Sequence, residues 1–294
     1  MDIAVLKAFI AVADNRSFSL AAEQLFLTQP AISKRVATLE NELETRLFDR
    51  IGRGVSLTEA GQALLPRARN ILLELEDSVR ALSNLSGEVH GTLRFGTSHH
   101  IGLHRLPPVL KDFVSAYPNV RLDIRFMDSE AACLAVEQGE LELAIVTLPP
   151  APAGALQLKK IWDDPLAVVV ANDHPLAHKR RVSLKELARH PVILPAMGTY
   201  TRQIAETAFR NIELQLDIAL STNYLETIHM LVSVGIGWSL LPVTMQDSQT
   251  KILTVDALSL NRSLGIVHHR ERTLSNAAYA LTRLLDMDTL NLPE

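Results

Sequence analysis

Residues 18–40, FSLAAEQLFLTQPAISKRVATLE, decide how this chain is read. Phe18, Ala21, Ala22, Leu25 and Phe26 recur at spacings of three and four, the period of a helix with one apolar face, while Ser19, Glu23 and Gln24 fall on the other side. Leu27, Thr28 and Gln29 form a turn. Pro30 suits the start of a helix, where a missing N–H costs nothing and φ is already set, so a second helix begins at Thr28 or Gln29. That helix buries Ile32, Val36 and Leu39 and turns Gln29, Ser33, Lys34, Arg35 and Thr38 outward. Two short helices across a tight turn make the pattern of a DNA-binding helix-turn-helix. The outward residues have the matching chemistry: amides and guanidinium forks read base edges, while hydroxyls and amines hold phosphates.

Downstream, Leu43, Leu47 and Phe48 continue the apolar pattern until Gly52 and Gly54 break it. A glycine-bounded turn carrying Arg50 and Arg53 reads as a wing, whose arginines reach phosphates or the adjoining minor groove. Residues 1 to about 88 resemble the winged helix-turn-helix and linker of a LysR-type transcriptional regulator. The resemblance rests on Phe18 to Ala22, on TQPAISKRVATLE, on Leu47-Phe48-Asp49-Arg50 and on Leu57-Thr58-Glu59-Ala60-Gly61. With two such domains on a roughly palindromic site, Gln29, Pro30 and Ser33 are expected near bases. Thr28, Lys34, Arg35, Thr38, Arg50, Arg53 and Thr58 are expected elsewhere on the contact surface, mostly at phosphates.

Bulk charge does not lead to this reading. Residues 1–66 hold seven Lys/Arg against eight Asp/Glu, and the whole chain carries a formal net charge of -4. Affinity for DNA must come from local placement and from doubling the contacts in a dimer. The dimer has its own signal. Thr58 can cap a helix opening at Glu59, and Leu65, Ala68, Leu72, Leu75, Val79 and Leu82 follow as a heptad seam, with Pro66 expected to kink it. Residues 85–91, LSGEVHG, end this linker. The expected division is a DNA-binding domain over 1–58, a dimerising coiled-coil linker helix over 59–88, and a third domain over 89–294.

A length of 294 residues exceeds what one core usually fills. No run of apolar residues is long enough to span a bilayer, and the first residues lack the features of a signal peptide, so a cytoplasmic protein is expected. The lone cysteine, Cys133, excludes an internal disulfide and reads as helix packing rather than a redox sensor.

From Gly91, strand-like TLRFGT, VRLDIRFM and LELAIVTL alternate with helical stretches around 104–116 and 129–139. Strands at 166–173, 192–195, 214–221 and 264–270 follow, with a terminal helix, LSNAAYALTRLLDM. This half is similar to the α/β two-lobed, periplasmic-binding-protein-like (type 2) effector domain of the LysR family. The fold expected overall is therefore multidomain: an all-α winged helix-turn-helix domain, a helical linker, then the α/β effector domain. Lobe one would take about 91–161 and 266–294, and lobe two about 162–265.

Ligands of open parallel sheets collect at the carboxyl ends of strands. That places Thr97, Ser98, Ser129, Thr147, Gly198, Thr199, Thr201 and Thr222 around one cleft, short hydroxyls and backbone N–H groups suited to a carboxylate or small oxyanion. His99 and His100 add positive charge, with His104 and Arg105 behind them; with no cysteine nearby, no metal site is assigned. Asp163-Asp164 before Pro165 reads as a turn. Enzymatic function has no support: there is no phosphate loop, nucleophile elbow or metal-ligand cluster. The expected protein is a regulator that needs no cofactor and binds double-stranded promoter DNA under control of a small effector. A solute-binding protein, or a regulator answering to redox state, to metal or to no effector, is the alternative. The family resemblance further implies a homotetramer built from two dimers, with RNA polymerase as a further partner.

Overall fold

The computed structural model describes residues 1–51, 54–151, 154–210, 215–256 and 258–290. The chain divides into two compact units, Met1–Ser86 and Gly87–Glu294.

In the first unit, helices α1 (Ile3–Asn15), α2 (Phe18–Gln24) and α3 (Gln29–Glu42) are followed by strands β1 (Phe48–Ile51) and β2 (Gly54–Leu57) and by the long helix α4 (Glu59–Asn84). Three side-chain caps set the helix starts. Asp2 accepts the N–H of Val5, Ser17 that of Leu20, and Thr28 that of Ala31. The core gathers Phe9, Val12, Phe18, Ala21, Ile32, Val36 and Leu39, with Phe48 packed against the rings of Phe9 and Phe18. Glu40 ties α3 to the hairpin, because its Oε1 accepts the N–H groups of Leu47 at 2.8 Å and Phe48 at 3.3 Å.

Two expectations need correction here. Phe26 is not core: α2 ends at Gln24, Phe26 adopts φ 54°, and its ring is 95 % exposed because the left-handed residue leaves the helical period. The heptad seam of α4 also splits. Leu65, Ala68 and Leu72 pack into their own unit, whereas Ile71, Leu75, Val79 and Leu82 stay exposed. Pro66 lies inside the continuous helix.

The second unit begins with β3 (Gly91–Thr97), α5 (His99–His104), α6 (Leu106–Ala116), β4 (Val120–Phe126), α7 (Ser129–Glu137) and β5 (Leu143–Thr147). The long strand β6 (Leu156–Ala171) follows, then α8 (Leu184–Leu187), β7 (Val192–Leu194), α9 (Tyr200–Arg210), β8 (Ile218–Ser221) and α10 (Leu225–Ser233). Strands β9 (Ser239–Pro242), β10 (Thr250–Leu253) and β11 (Leu260–His269) lead to α11 (Asn276–Leu290). One mixed sheet runs in the order β10-β6-β11-β5-β3-β4, with β9 also on β6, while β7 and β8 pair in parallel apart from it.

Strands β6 and β11 serve both lobes. Lobe one packs Leu93, Phe95, Phe113, Leu143, Ile145, Ile266 and Leu281, and lobe two packs Val168, Val170, Val192, Leu194, Phe209 and Trp238. The pairing of β6 with β11 shifts register between Leu264 and Gly265, so the ladder bulges where the chain passes from one core to the other. A Cβ on Gly265 would lie 2.1 Å from the Lys159 carbonyl oxygen, so the strands approach closely only because this residue has no side chain.

Asp163-Asp164-Pro165 is strand rather than turn. The three residues lie within β6 opposite Asn261, Arg262 and Ser263. The Asn261 side chain holds the strand beside the proline: its Oδ1 accepts the Asp164 N–H at 3.1 Å, and its Nδ2 donates to Asp163 at 2.7 Å.

Candidate functional site

Two sites emerge, one in each unit. On α3, Gln29, Pro30, Lys34 and Thr38 are exposed and Ser33 and Arg35 half-buried, while Ile32, Val36 and Leu39 hold the opposite face in the core. Gln29 Nε2 donates to Ser33 Oγ at 3.2 Å, which holds the amide on the outer face of the first turn. Thr38 donates to the Lys34 carbonyl at 2.9 Å. Thr28 and Thr58 are structural caps. Thr58 accepts from the Gly61 N–H and donates to the Arg46 carbonyl at 2.7 Å, so it joins the hairpin to α4. The Arg50 side chain and all of Arg53 lie outside the described residues.

The second site is a cavity of about 110 Å3 between the lobes. Lobe one contributes Ser98, His99 and His100 after β3, the segment from Phe126 to Glu130 after β4, and Thr147 at the end of β5. Lobe two contributes Pro195, Thr199, Thr201, Asn223, Tyr224 and Leu225, and Arg262 rises from β11. The parallel order of β4, β3 and β5 brings their carboxyl ends to one edge. Hydrogen bonds cross the cleft: Asn223 Nδ2 donates to Asp128 at 2.7 Å, and the Tyr200 N–H donates to Glu130. Burial pushes the Glu130 carboxyl up, offset by that N–H.

Arg262 is the centre of charge. It stands directly across the ladder from Asp164, its Nε donates to Asp164 Oδ2 at 2.5 Å, and its Nη1 donates to Thr201 Oγ1 at 3.2 Å. Asp164 is fully buried, with Arg105 Nη2 at 3.6 Å on its other oxygen. Among the described residues Arg262 Nη2 is buried without a hydrogen-bond partner, and so are both ring nitrogens of His100. Burial, with Arg262 beside it, pushes the His100 imidazole down to about 4. The His100 ring is therefore neutral near pH 7.

Of the residues proposed from sequence, Ser98, His99, His100, Ser129, Thr147, Thr199 and Thr201 line the cavity. Thr97, Gly198 and Thr222 do not. Thr97 is buried beneath it and donates to the Ile145 carbonyl at 2.8 Å; Gly198 supplies a turn at φ 93°; Thr222 accepts the Tyr224 N–H. Sequence reasoning passed over Asp128, Glu130, Asn223 and, above all, Arg262. Its signal was present, because Leu260, Arg262, Leu264 and Ile266 alternate on one strand face and put a cation where the core expects an apolar side chain.

Cys133 sits on α7, and burial pushes its thiol up to about 11. It is a poor nucleophile near neutrality, which argues against a redox switch at this residue. Among the described residues no helix is long and apolar enough to cross a membrane.

Known proteins point the same way. The family model "Bacterial regulatory helix-turn-helix protein, lysR family" matches residues 3–62, and "LysR substrate binding domain" matches residues 86–288. An uncharacterised HTH-type transcriptional regulator of Azotobacter vinelandii is 68 % identical over 108 residues, covering 37 % of this chain and 75 % of that protein. A probable RuBisCO transcriptional regulator of Thalassiosira pseudonana is 30 % identical over 284 residues, covering 92 % of each chain. Full-length OxyR from Pseudomonas aeruginosa superposes with a TM-score of 0.69 at 22 % identity, covering 98 % of both chains, which is a likeness of fold.

Proposed function

Because the chain belongs to the LysR family of transcriptional regulators, a family of regulators and not of enzymes, we propose that a small oxyanion or short carboxylate in the interlobe cavity controls its hold on promoter DNA. The observation that carries this reading is Arg262 Nη2, a buried cationic donor without a partner among the described residues. An unmet buried donor costs about 1–3 kcal/mol or more, and an anionic oxygen is the acceptor that recovers it best. The hydroxyls of Ser98, Ser129 and Thr201 stand around the same space. At about 110 Å3 the cavity is smaller than the roughly 300–1,000 Å3 of sites for drug-sized ligands, which favours an inorganic oxyanion over an aromatic carboxylate.

DNA contact falls to α3, with Gln29, Pro30 and Ser33 toward base edges and Lys34 and Arg35 on phosphates. Arg50 and Arg53 extend the contact from the wing. A second copy covers the exposed Ile71, Leu75, Val79 and Leu82 of α4, giving the dimer that matches a two-fold operator. Cleft closure on the effector then alters how effector domains pack between chains, and with it the spacing or bend of bound DNA.

The test is thermal unfolding of the full chain against inorganic oxyanions, short and aromatic carboxylates, and neutral sugars. A ligand bound by the folded state alone adds about 2.7 kcal/mol at a hundredfold excess over its Kd. A concentration-dependent rise with one anion, lost in Ser129→Ala, is expected. A rise with sugars alone would overturn the anion reading. For the DNA-binding half, Arg35→Ala should lower the salt slope of operator binding by about one.

A further inference from the structure

We propose that His100, His104 and Glu226 form a divalent transition-metal site that fastens lobe one to lobe two beside the anion cavity. His100 and His104 are four residues apart on α5, so both rings leave the same face of the helix, with their centroids 4.7 Å apart. Glu226 comes from α10 on the other lobe. Its Oε1 lies 3.0 Å from His104 Nε2 and 3.5 Å from His100 Nδ1, and one donor atom from each of the three residues falls within 4.8 Å of the others. Bonds of about 2.0–2.2 Å to nitrogen and oxygen put neighbouring ligands of a tetrahedral ion roughly 3.3–3.6 Å apart. The 3.5 Å separation falls in that range, and the 3.0 Å one needs a small opening to reach it.

The state of His100 points to a ligand. Its side chain is 6 % exposed, the Glu226 Oε1 beside its Nδ1 stands at 3.5 Å, the limit of hydrogen-bond reach, and is shared with His104, and its Nε2 is buried without a partner among the described residues. A buried imidazole so weakly partnered is costly, and an ion held jointly with Glu226 would fill that need. Two imidazoles and one carboxylate suit Zn2+, Co2+ or Ni2+ better than Mg2+ or Ca2+, and three protein ligands leave a position for water. A second cavity, of about 440 Å3, gives the ion a route in. His104, Arg105, Glu226 and His229 stand on its walls. The neighbouring cations Arg105 and Arg262 are both turned toward Asp164, at 3.6 Å and 2.5 Å, and His229 toward Asp247 at 3.4 Å.

An ion here would hold the cleft closed, since its ligands come from both lobes. Metal and anion would then each raise the other's affinity, because both bind the closed form better. The site itself stands on the three ligands and does not depend on the anion reading.

The experiment uses the full chain after chelation, titrated with Co2+ while its visible d–d absorption is followed, and with Zn2+ by calorimetry. One tetrahedral ion per chain is expected. His104→Ala and Glu226→Gln should each lose at least about 100-fold in affinity, beyond the roughly 10–100-fold that follows loss of a merely supporting partner. His178→Ala, at an exposed histidine elsewhere, should bind as the parent does. Metal-free circular dichroism checks that the variants are folded, and both replaced side chains are partly exposed, so neither change opens the core. No saturable uptake, or uptake that both variants retain, would overturn the proposal.

Discussion

Replacing Arg262 by methionine tests the centre of the effector domain most directly. The substitution keeps much of the apolar stem but removes the charge opposite Asp164, a fully buried carboxylate whose remaining cation is Arg105 at 3.6 Å. Removing one partner of a buried pair costs about 3–5 kcal/mol, because the charge left behind stays desolvated. In a domain of this size 1 kcal/mol moves Tm by roughly 2–4 °C, so the effector-domain transition should fall by roughly 6–20 °C. The double variant Asp164→Asn/Arg262→Met should recover part of that loss, since the buried carboxylate is gone, while Arg105, whose side chain is 17 % exposed, loses its partner. Both variants should need roughly 10- to 150-fold more of the proposed anion for the same response, because that is what one charge-assisted hydrogen bond of about 1.5–3 kcal/mol corresponds to. Differential scanning calorimetry with and without the anion reads both effects. If Arg262→Met melts like the parent, or keeps its full anion response, the assignment of this ion pair is wrong.

Gly265→Ala should lower Tm by several degrees, since its Cβ would stand 2.1 Å from the Lys159 carbonyl and the cost of such overpacking is about 1–3 kcal/mol; calorimetry showing no change would mean that the bulge can yield freely. Val79→Glu with Leu82→Glu should convert a dimer to a monomer in sedimentation equilibrium, and an unchanged mass would place the interface elsewhere. Native Cys133 should alkylate ever faster up to about pH 11, while the unfolded chain levels off near its ordinary 9.0. The sign follows from the raised value: between those limits the unfolded state holds fewer protons, so this group's contribution to stability falls as pH rises. A native rate that levels off at or below pH 9 would refute the burial argument.

Local patterns carried most of the DNA-binding unit. The spacing of Phe18, Ala21 and Ala22, the Thr28 cap and the glycines around the hairpin are short-range signals, and short-range geometry settled them. One misreading was local: Phe26 matched the apolar period, but a left-handed turn carried it out to solvent. The others arose where a residue's neighbours lie far away in sequence. Leu72 and Leu75 belong to the same heptad, yet one packs on its own unit and the other does not. Asp163-Asp164-Pro165 has the composition of a turn and became strand because Asn261 and Arg262, nearly a hundred residues on, supply its partners.

From the sequence alone came most of the order of helices and strands, though not α5, β10 or the first half of β6, together with the outward residues of α3 and several of the hydroxyls at the strand ends, since periodicity and capping act within a few residues. Tertiary structure alone decided which hydroxyls face the cavity, that Arg262 meets Asp164 across the ladder, and that Glu226 comes to His100 and His104. Those contacts join segments that only the crossing of β6 and β11 brings together, and ion pairs and shared ligands depend on distance in space rather than position along the chain.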